Sequence, residues 1–329
     1  MAAAAVAVIC TGTYLSVRTA ASGPSAGHVA ARLQATGQPP PSARPQLRLG
    51  TLRTYRVATE HLTLTRSAPG LGRRVLRLTV RYPVVAGLAT YRQHPAGLFP
   101  LVAFAPGYRH CAGVYRDLLR QWASAGYVVA AVDFPRTSCA TASPDESDVT
   151  NQPADLAFVI RRLLARSAAR QGRLADLIAA GKIAVAGHSD GGDTAAALAA
   201  APCCRDRRVQ AALILSGAQW PSFTGHWFAR PAPPLLVIQG AADSWNPPAD
   251  SVRLYLADRA GPRFYLDLPA AGHFTPYEGD GTPEPIVARV TVDFLDRYLL
   301  GQRSRSAAMW REGKVAGKAV LASAGHLPR

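Results

Sequence analysis

Three side chains, in the chain order Ser189, Asp243 and His273, have the types and local settings required for nucleophilic acyl transfer. Ser189 lies in "KIAVAGHSDGGDTAAALAA", where a short apolar run meets Gly187-His188-Ser189-Asp190-Gly191 and passes into an alanine-rich segment. A hydroxyl attacks poorly unless an imidazole takes its proton, and that imidazole needs an acid to hold its tautomer. A tight strand-to-helix turn would expose the hydroxyl. Gly187 and Gly191 remove the side chains that would collide there, and Gly192 adds a further small residue. For a serine on such an elbow the acid and then the histidine follow in the chain, each in a loop after a strand. Asp243 comes three residues after the glycine of "LLVIQG", and His273 sits in the small-residue loop of "FYLDLPAAGHF".

The rivals fail by position. Asp250, Asp258 and Asp267 fall within predicted helix or strand. His226 precedes the acid, His326 is in the tail, His188 is inside the elbow and His110 precedes the serine. The negative charge that develops on the attacked carbonyl oxygen needs two preorganised donors. These are expected to be the backbone N–H of Asp190 and that of Tyr108, which follows Gly107 in "PLVAFAPGYRH". The Asp190 carboxylate would oppose that charge, so its side chain is expected to turn away and cap its own helix. Tyr108 and Trp220 are expected to wall the acyl pocket, with Trp245 beside the acid as a third candidate. No H-E-x-x-H or C-x-x-C occurs, and Cys203-Cys204 has no partner at metal-ligand spacing, so neither metal nor cofactor is expected.

The elements that must position these groups read as follows. "RTYRVATEHLTLT" and "RRVLRLTVRYPV" alternate as two antiparallel strands with a turn at Pro69-Gly70. From Phe99 the strands become continuous apolar runs: "FPLVAFA", "VVAAVDF", "KIAVAG", "VQAALIL", "PLLVIQG" and "RFYLDLP". Helical patterns separate them. "YRDLLRQWASAGY" puts Leu118, Leu119, Trp122 and Ala123 on one face and closes at Gly126. "PADLAFVIRRLL" opens at Pro153 and aligns Leu156, Val159, Ile160, Leu163 and Leu164, and "PEPIVARVTVDFLDRYLL" is a third helix. Buried strands alternating with helices mean an α/β fold with a mostly parallel sheet covered on both faces. One sheet suffices, so residues 51–329 are read as a single catalytic domain, with a peripheral strand at 318–322.

Residues 27–50, rich in Pro, Gly, Ser and Ala, read as a flexible linker. Residues 1–26 are read as a signal peptide or membrane anchor: residues 1–17 are largely apolar and small residues follow, without a basic start. The expectation is therefore a secreted or cell-envelope protein, with a cytoplasmic location as the alternative, and membrane association only through the N-terminus. Outside that segment four cysteines remain, Cys111, Cys139, Cys203 and Cys204, an even count that permits disulfides without fixing their connectivity. The net charge of +16 is almost wholly arginine, lysine occurring only at Lys182, Lys314 and Lys318. The arginines are scattered, with no basic-aromatic interleaving, so nucleic acid is not an expected partner. The protein is expected to act as a monomer.

Taken together, "FAPGY", "GYVVAAVDFP", "NQPADLAFVI", "VAGHSDGG", "IQGAADSWNPP" and "AAGHF" resemble the α/β-hydrolase branch that holds dienelactone-hydrolase-like proteins, platelet-activating-factor acetylhydrolases and cutinase-type polyester hydrolases. The resemblance runs over roughly residues 50–300. It implies the α/β-hydrolase fold and a serine-dependent carboxylic ester hydrolase with a Ser-His-Asp triad and an acyl-enzyme, acting on a small-molecule or polymeric ester. In polyester hydrolases a "PGY" segment supplies an oxyanion amide and an aromatic clamp, positions matched by Gly107-Tyr108, while Trp220 matches the opposite wall. Those enzymes usually carry Met where this chain has Asp190, so polyester cleavage itself is not implied. Dienelactone hydrolases proper use cysteine where this chain has Ser189. A serine peptidase or acyltransferase on the same fold, or a non-catalytic hydrolase-like binding protein, are the alternative readings. No insertion long enough for a large lid precedes Asp243, so an open site is expected.

Overall fold

The computed structural model describes residues 54–84, 98–170, 172–278, 283–324 and 326–327. The leader and linker expectations, on residues 1–50, lie outside the described residues. Two long strands, β1 (Arg56–Ala68) and β2 (Gly72–Val84), pair antiparallel, Ala68 opposite Gly72, across a turn at the expected Pro69-Gly70. Then follow β3 (Phe99–Ala105), α1 (Arg116–Ser124), β4 (Val128–Asp133), α2 (Gln152–Ala168), β5 (Ile178–His188) and α3 (Asp190–Ala200). The second half contains β6 (Val209–Leu215), β7 (Leu235–Gly240), α4 (Pro248–Ala257), β8 (Arg263–Leu268), α5 (Pro283–Tyr298), α6 (Arg305–Glu312), β9 (Lys314–Val315) and β10 (Ala319–Ser323).

Among the described residues these strands form one ten-stranded sheet in the order β1-β2-β4-β3-β5-β6-β7-β8-β10-β9. Pairing is parallel from β4 through β8 and antiparallel at both margins. The central strands are mostly apolar because both faces are covered. In β3, Leu101 and Ala103 pack on the side of α2, α3 and α4, while Val102 and Phe104 pack on the side of α1 and α5. The expected helix faces are the buried ones: Leu118, Leu119, Trp122 and Ala123 of α1, and Leu156, Val159, Ile160 and Leu163 of α2. The peripheral strand expected at 318–322 is β10, which pairs antiparallel with β8. Asp258, expected within an element, instead sits just past α4, where its carboxylate accepts from the N–H groups of Ala260 and Gly261. No helix among the described residues is long and apolar enough to cross a membrane.

A buried ion network fixes the segment that flanks the site. Arg74, 3% exposed, grips Asp148 with two parallel hydrogen bonds of 2.8 and 2.7 Å. It also donates to Asp155, whose other oxygen takes Arg66 at 2.9 Å. β2 is thereby tied both to α2 and to the 3-10 turn Glu146–Asn151 that precedes it. Replacing Arg74 by Met leaves Asp148 buried without its cation, and removing one partner of such a pair costs about 3–5 kcal/mol. Arg74→Met is expected to lower the unfolding free energy by about that amount in urea denaturation.

Candidate active site

The elbow is built by close approach of backbone. β5 ends at His188, and Ser189 takes φ 55°, ψ −127°, a conformation rarely adopted by a residue with a side chain. The turn is pinned by the Ser189 N–H donating to Leu215 O at 2.9 Å and by Asp193 N–H donating to Ser189 O at 3.0 Å. A Cβ on Gly187 would lie 1.9 Å from Gly191 O, and one on Gly191 would lie 1.9 Å from Ala105 O. Both obstacles are backbone, so neither can give. Gly191→Ala is expected to cost more than about 4 kcal/mol, or to prevent folding, as read from the thermal transition by circular dichroism. Ser189 itself remains partly exposed at the tip of the turn.

Asp243 and His273 stand at the same edge of the sheet, in the loops after β7 and β8. Ala241 N–H donates to Leu268 O at 3.1 Å and Ala242 N–H to Ala271 O at 3.0 Å, which zips the two loops together. His273 Nδ1 lies 2.7 Å from Asp243 Oδ2, with both residues buried. The same oxygen accepts from Gln239 Nε2 at 2.9 Å, while Oδ1 accepts from the backbone N–H groups of Trp245 and Asn246, each at 2.9 Å. The Asp243 carboxylate accepts a hydrogen bond from His273 Nδ1–H, which leaves Nε2 as the ring nitrogen free to accept a proton.

His188 is the residue that sequence reasoning passed over. Inside the elbow it looked like a spacer, yet it is fully buried and its ring centroid lies 4.6 Å from that of His273. Its Nε2 donates to His273 O at 3.0 Å, so Nδ1 is the acceptor for the Tyr115 hydroxyl at 2.9 Å. Gly107 N–H in turn donates to Tyr115 Oη at 3.1 Å. Burial, and next the neighbouring His273, hold His188 well below the ordinary imidazole pKa, which keeps it neutral and fixes this tautomer. The chain of bonds links the loop carrying His273 to the loop carrying Tyr108. A polar residue ending an otherwise apolar strand was the available signal.

The expected wall and donor residues cluster around this edge. A Cβ on Gly107 would be 3.2 Å from Ser189 Cβ, so Tyr108 follows a residue in contact with the serine. Tyr108 is half-buried and its hydroxyl donates to Pro144 O at 3.1 Å. A disulfide joins Cys111 to Cys139 and thus the loops after β3 and β4; a second links Cys203 and Cys204. Asp190 is the first residue of α3, so its N–H has no acceptor within the helix. Trp245 is 71% exposed and stacks near-parallel over His273 at 6.4 Å between ring centroids. Trp220 lines a cavity of about 300 Å³ together with Asp190. The Asp190 side chain does not reach outward as a simple cap: it is 6% exposed and lines that cavity. Burial, and next the nearby Glu146, push its carboxyl up to about 7. Among the described residues no three His, Cys, Asp or Glu side chains converge on a position for a metal ion.

A sheet ordered β1-β2-β4-β3-β5-β6-β7-β8, helices on both faces and a strained serine between β5 and the next helix define an α/β-hydrolase. Residues 78–310 match the family model described as PETase, PET hydrolase-like, and the chain belongs to that family. It is accordingly a hydrolase of a family that acts on esters.

Proposed function

We propose that the protein is a serine carboxylic-ester hydrolase working through an acyl-enzyme, with Ser189, His273 and Asp243 as its triad. The observation that carries this reading is the 2.7 Å contact between the buried Asp243 and His273 Nδ1, at the same sheet edge as the strained Ser189. His273 Nε2 takes the Ser189 proton as Oγ bonds to the ester carbonyl carbon. The tetrahedral oxyanion is met by the N–H groups of Tyr108 and Asp190. Collapse breaks the bond to the alkoxy oxygen, which leaves as the alcohol with the proton from His273. Water then attacks the acyl carbon, giving its proton to His273, and Ser189 departs with that proton as the free hydroxyl. Asp243 orients the imidazole throughout.

Tyr108, Trp220 and Trp245 would supply the apolar walls for the acyl and alcohol parts. We propose action in an oxidising compartment, supported by the Cys111–Cys139 disulfide. Hydrolysis of p-nitrophenyl esters of graded acyl length tests the reading. Turnover is expected for short chains, and no turnover at any length would overturn it.

A further inference from the structure

The loop after β3 carries Tyr108 and the loop after β8 carries His273, and His110 and Glu278 span the two. His110 Nδ1 lies 2.8 Å from Tyr108 O, and a carbonyl oxygen only accepts, so Nδ1 carries a hydrogen. His110 Nε2 lies 3.4 Å from Glu278 Oε1. That carboxylate oxygen is buried and has no hydrogen-bond donor among the described residues, which native proteins seldom leave unexplained. The His110 ring also stacks on Phe274 at 5.5 Å between centroids, and Phe274 meets His273 edge-on at 4.7 Å. Glu278 is anchored in the same loop by its own N–H, which donates to Phe274 O at 3.0 Å.

A ring nitrogen without its hydrogen and a carboxylate oxygen both offer lone pairs, so the two repel unless a proton lies on one of them. With the proton on Nε2, an imidazolium meets a carboxylate; with it on Oε1, a carboxylic acid meets a neutral ring. Either form draws the loops together, and loss of the proton pushes them apart. Burial raises the Glu278 carboxyl, which favours keeping the proton. Tyr115, His188 and Tyr277, which also pack here, stay uncharged. The Tyr115 hydroxyl is pushed up by burial and next by Glu278, and the Tyr277 hydroxyl by burial. His188 Nδ1 lies 3.8 Å from the same Oε1, and burial keeps that ring neutral.

We propose that His110 and Glu278 form a latch, closed by one shared proton, that positions Tyr108 and His273 for the reaction and opens when that proton is lost. Both are positioning residues, since neither touches the reacting atoms. The proposal rests on the serine-esterase reading and adds a control of that site by alkaline pH. A latch that needs its proton holds at lower pH and fails as pH rises. His273 acts in the opposite sense, because it must be neutral to accept from Ser189.

The test follows kcat for a p-nitrophenyl ester from about pH 6 to about pH 10, corrected for spontaneous hydrolysis. Wild-type kcat is expected to rise on the acid side and then fall by about 10- to 100-fold on the alkaline side, the scale of a small misplacement of catalytic groups. KM is expected to change by less than about twofold. His110→Phe keeps a ring on Phe274 but has no nitrogen, so its kcat is expected to be low already at neutral pH and to fall no further. Glu278→Ala is expected to behave alike, and serves if His110→Phe does not fold. Glu278→Gln can donate an amide hydrogen to the neutral ring. It is expected to recover most of the kcat that Glu278→Ala loses and to keep it through the alkaline range, which a packing role alone would not produce. A wild type without the alkaline fall, or a fall that persists in Glu278→Gln, would overturn the latch and leave the esterase reading standing. No turnover at any pH would sink both.

Discussion

Ser189→Ala is expected to lower kcat for ester hydrolysis by about 10⁴- to 10⁶-fold, the range seen when a triad nucleophile is removed. The protein should stay folded. Ser189 is held by its backbone, through the bonds to Leu215 O and from Asp193 N–H, and none of these involves the hydroxyl. KM for a p-nitrophenyl ester should change little, since the walls and oxyanion donors remain. Measurement requires steady-state kinetics beside a thermal melt. A variant that melts like the wild type yet retains more than about a tenth of its activity would remove Ser189 from the chemistry.

Asp243→Asn is expected to cost about 10⁴-fold in kcat near neutral pH, the scale set by loss of the orienting acid in such triads. The carboxylate accepts from four groups at once: His273 Nδ1, Gln239 Nε2 and the N–H groups of Trp245 and Asn246. An amide at this position turns one acceptor into a donor. Either it faces His273 and forces the wrong tautomer, or it faces the N–H groups of Trp245 and Asn246 and leaves both without an acceptor. The first route lowers kcat and the second lowers stability, so kinetics and urea denaturation together apportion the loss. A loss below tenfold would mean that another acid orients His273.

The triad candidates were legible because they depend on order along the chain and on the ends of strands, which apolar runs reveal. The serine elbow was legible for a further reason: Gly187 and Gly191 are required by backbone contacts as short as 1.9 Å, and glycine is visible in a sequence. The parallel sheet followed from uninterrupted apolar runs such as "VVAAVD", and the antiparallel pair β1 and β2 from alternation. What escaped depends on contacts between segments far apart in the chain. His188 reads as a spacer until the fold brings Tyr115 and the His273 carbonyl to its two nitrogens. Arg74 looks like one more scattered arginine, although it binds two buried acids more than 70 residues away. The short helix α6 was also missed, for its stretch "RSAAMWRE" is only eight residues long and carries charges at both ends.

Asp190 illustrates the same limit. Sequence reasoning proposed its amide as an oxyanion donor and treated its carboxylate as an oddity to be turned away. The fold places that residue beside a cavity shared with Glu146, Asp193 and Trp220, whose lining comes from two helices and the segments around Glu146, Trp220 and Asn246. Only the three-dimensional arrangement brings those charges together.

The central claim, that Ser189 becomes covalently acylated, is tested most directly by labelling the folded protein with a fluorophosphonate and mapping the adduct by peptide mass spectrometry. A single adduct on the peptide containing Gly187-His188-Ser189, formed in step with loss of esterase activity and absent in Asp243→Asn on the same timescale, is the predicted result. An adduct on a different serine, or full loss of activity with Ser189 unmodified, would contradict it.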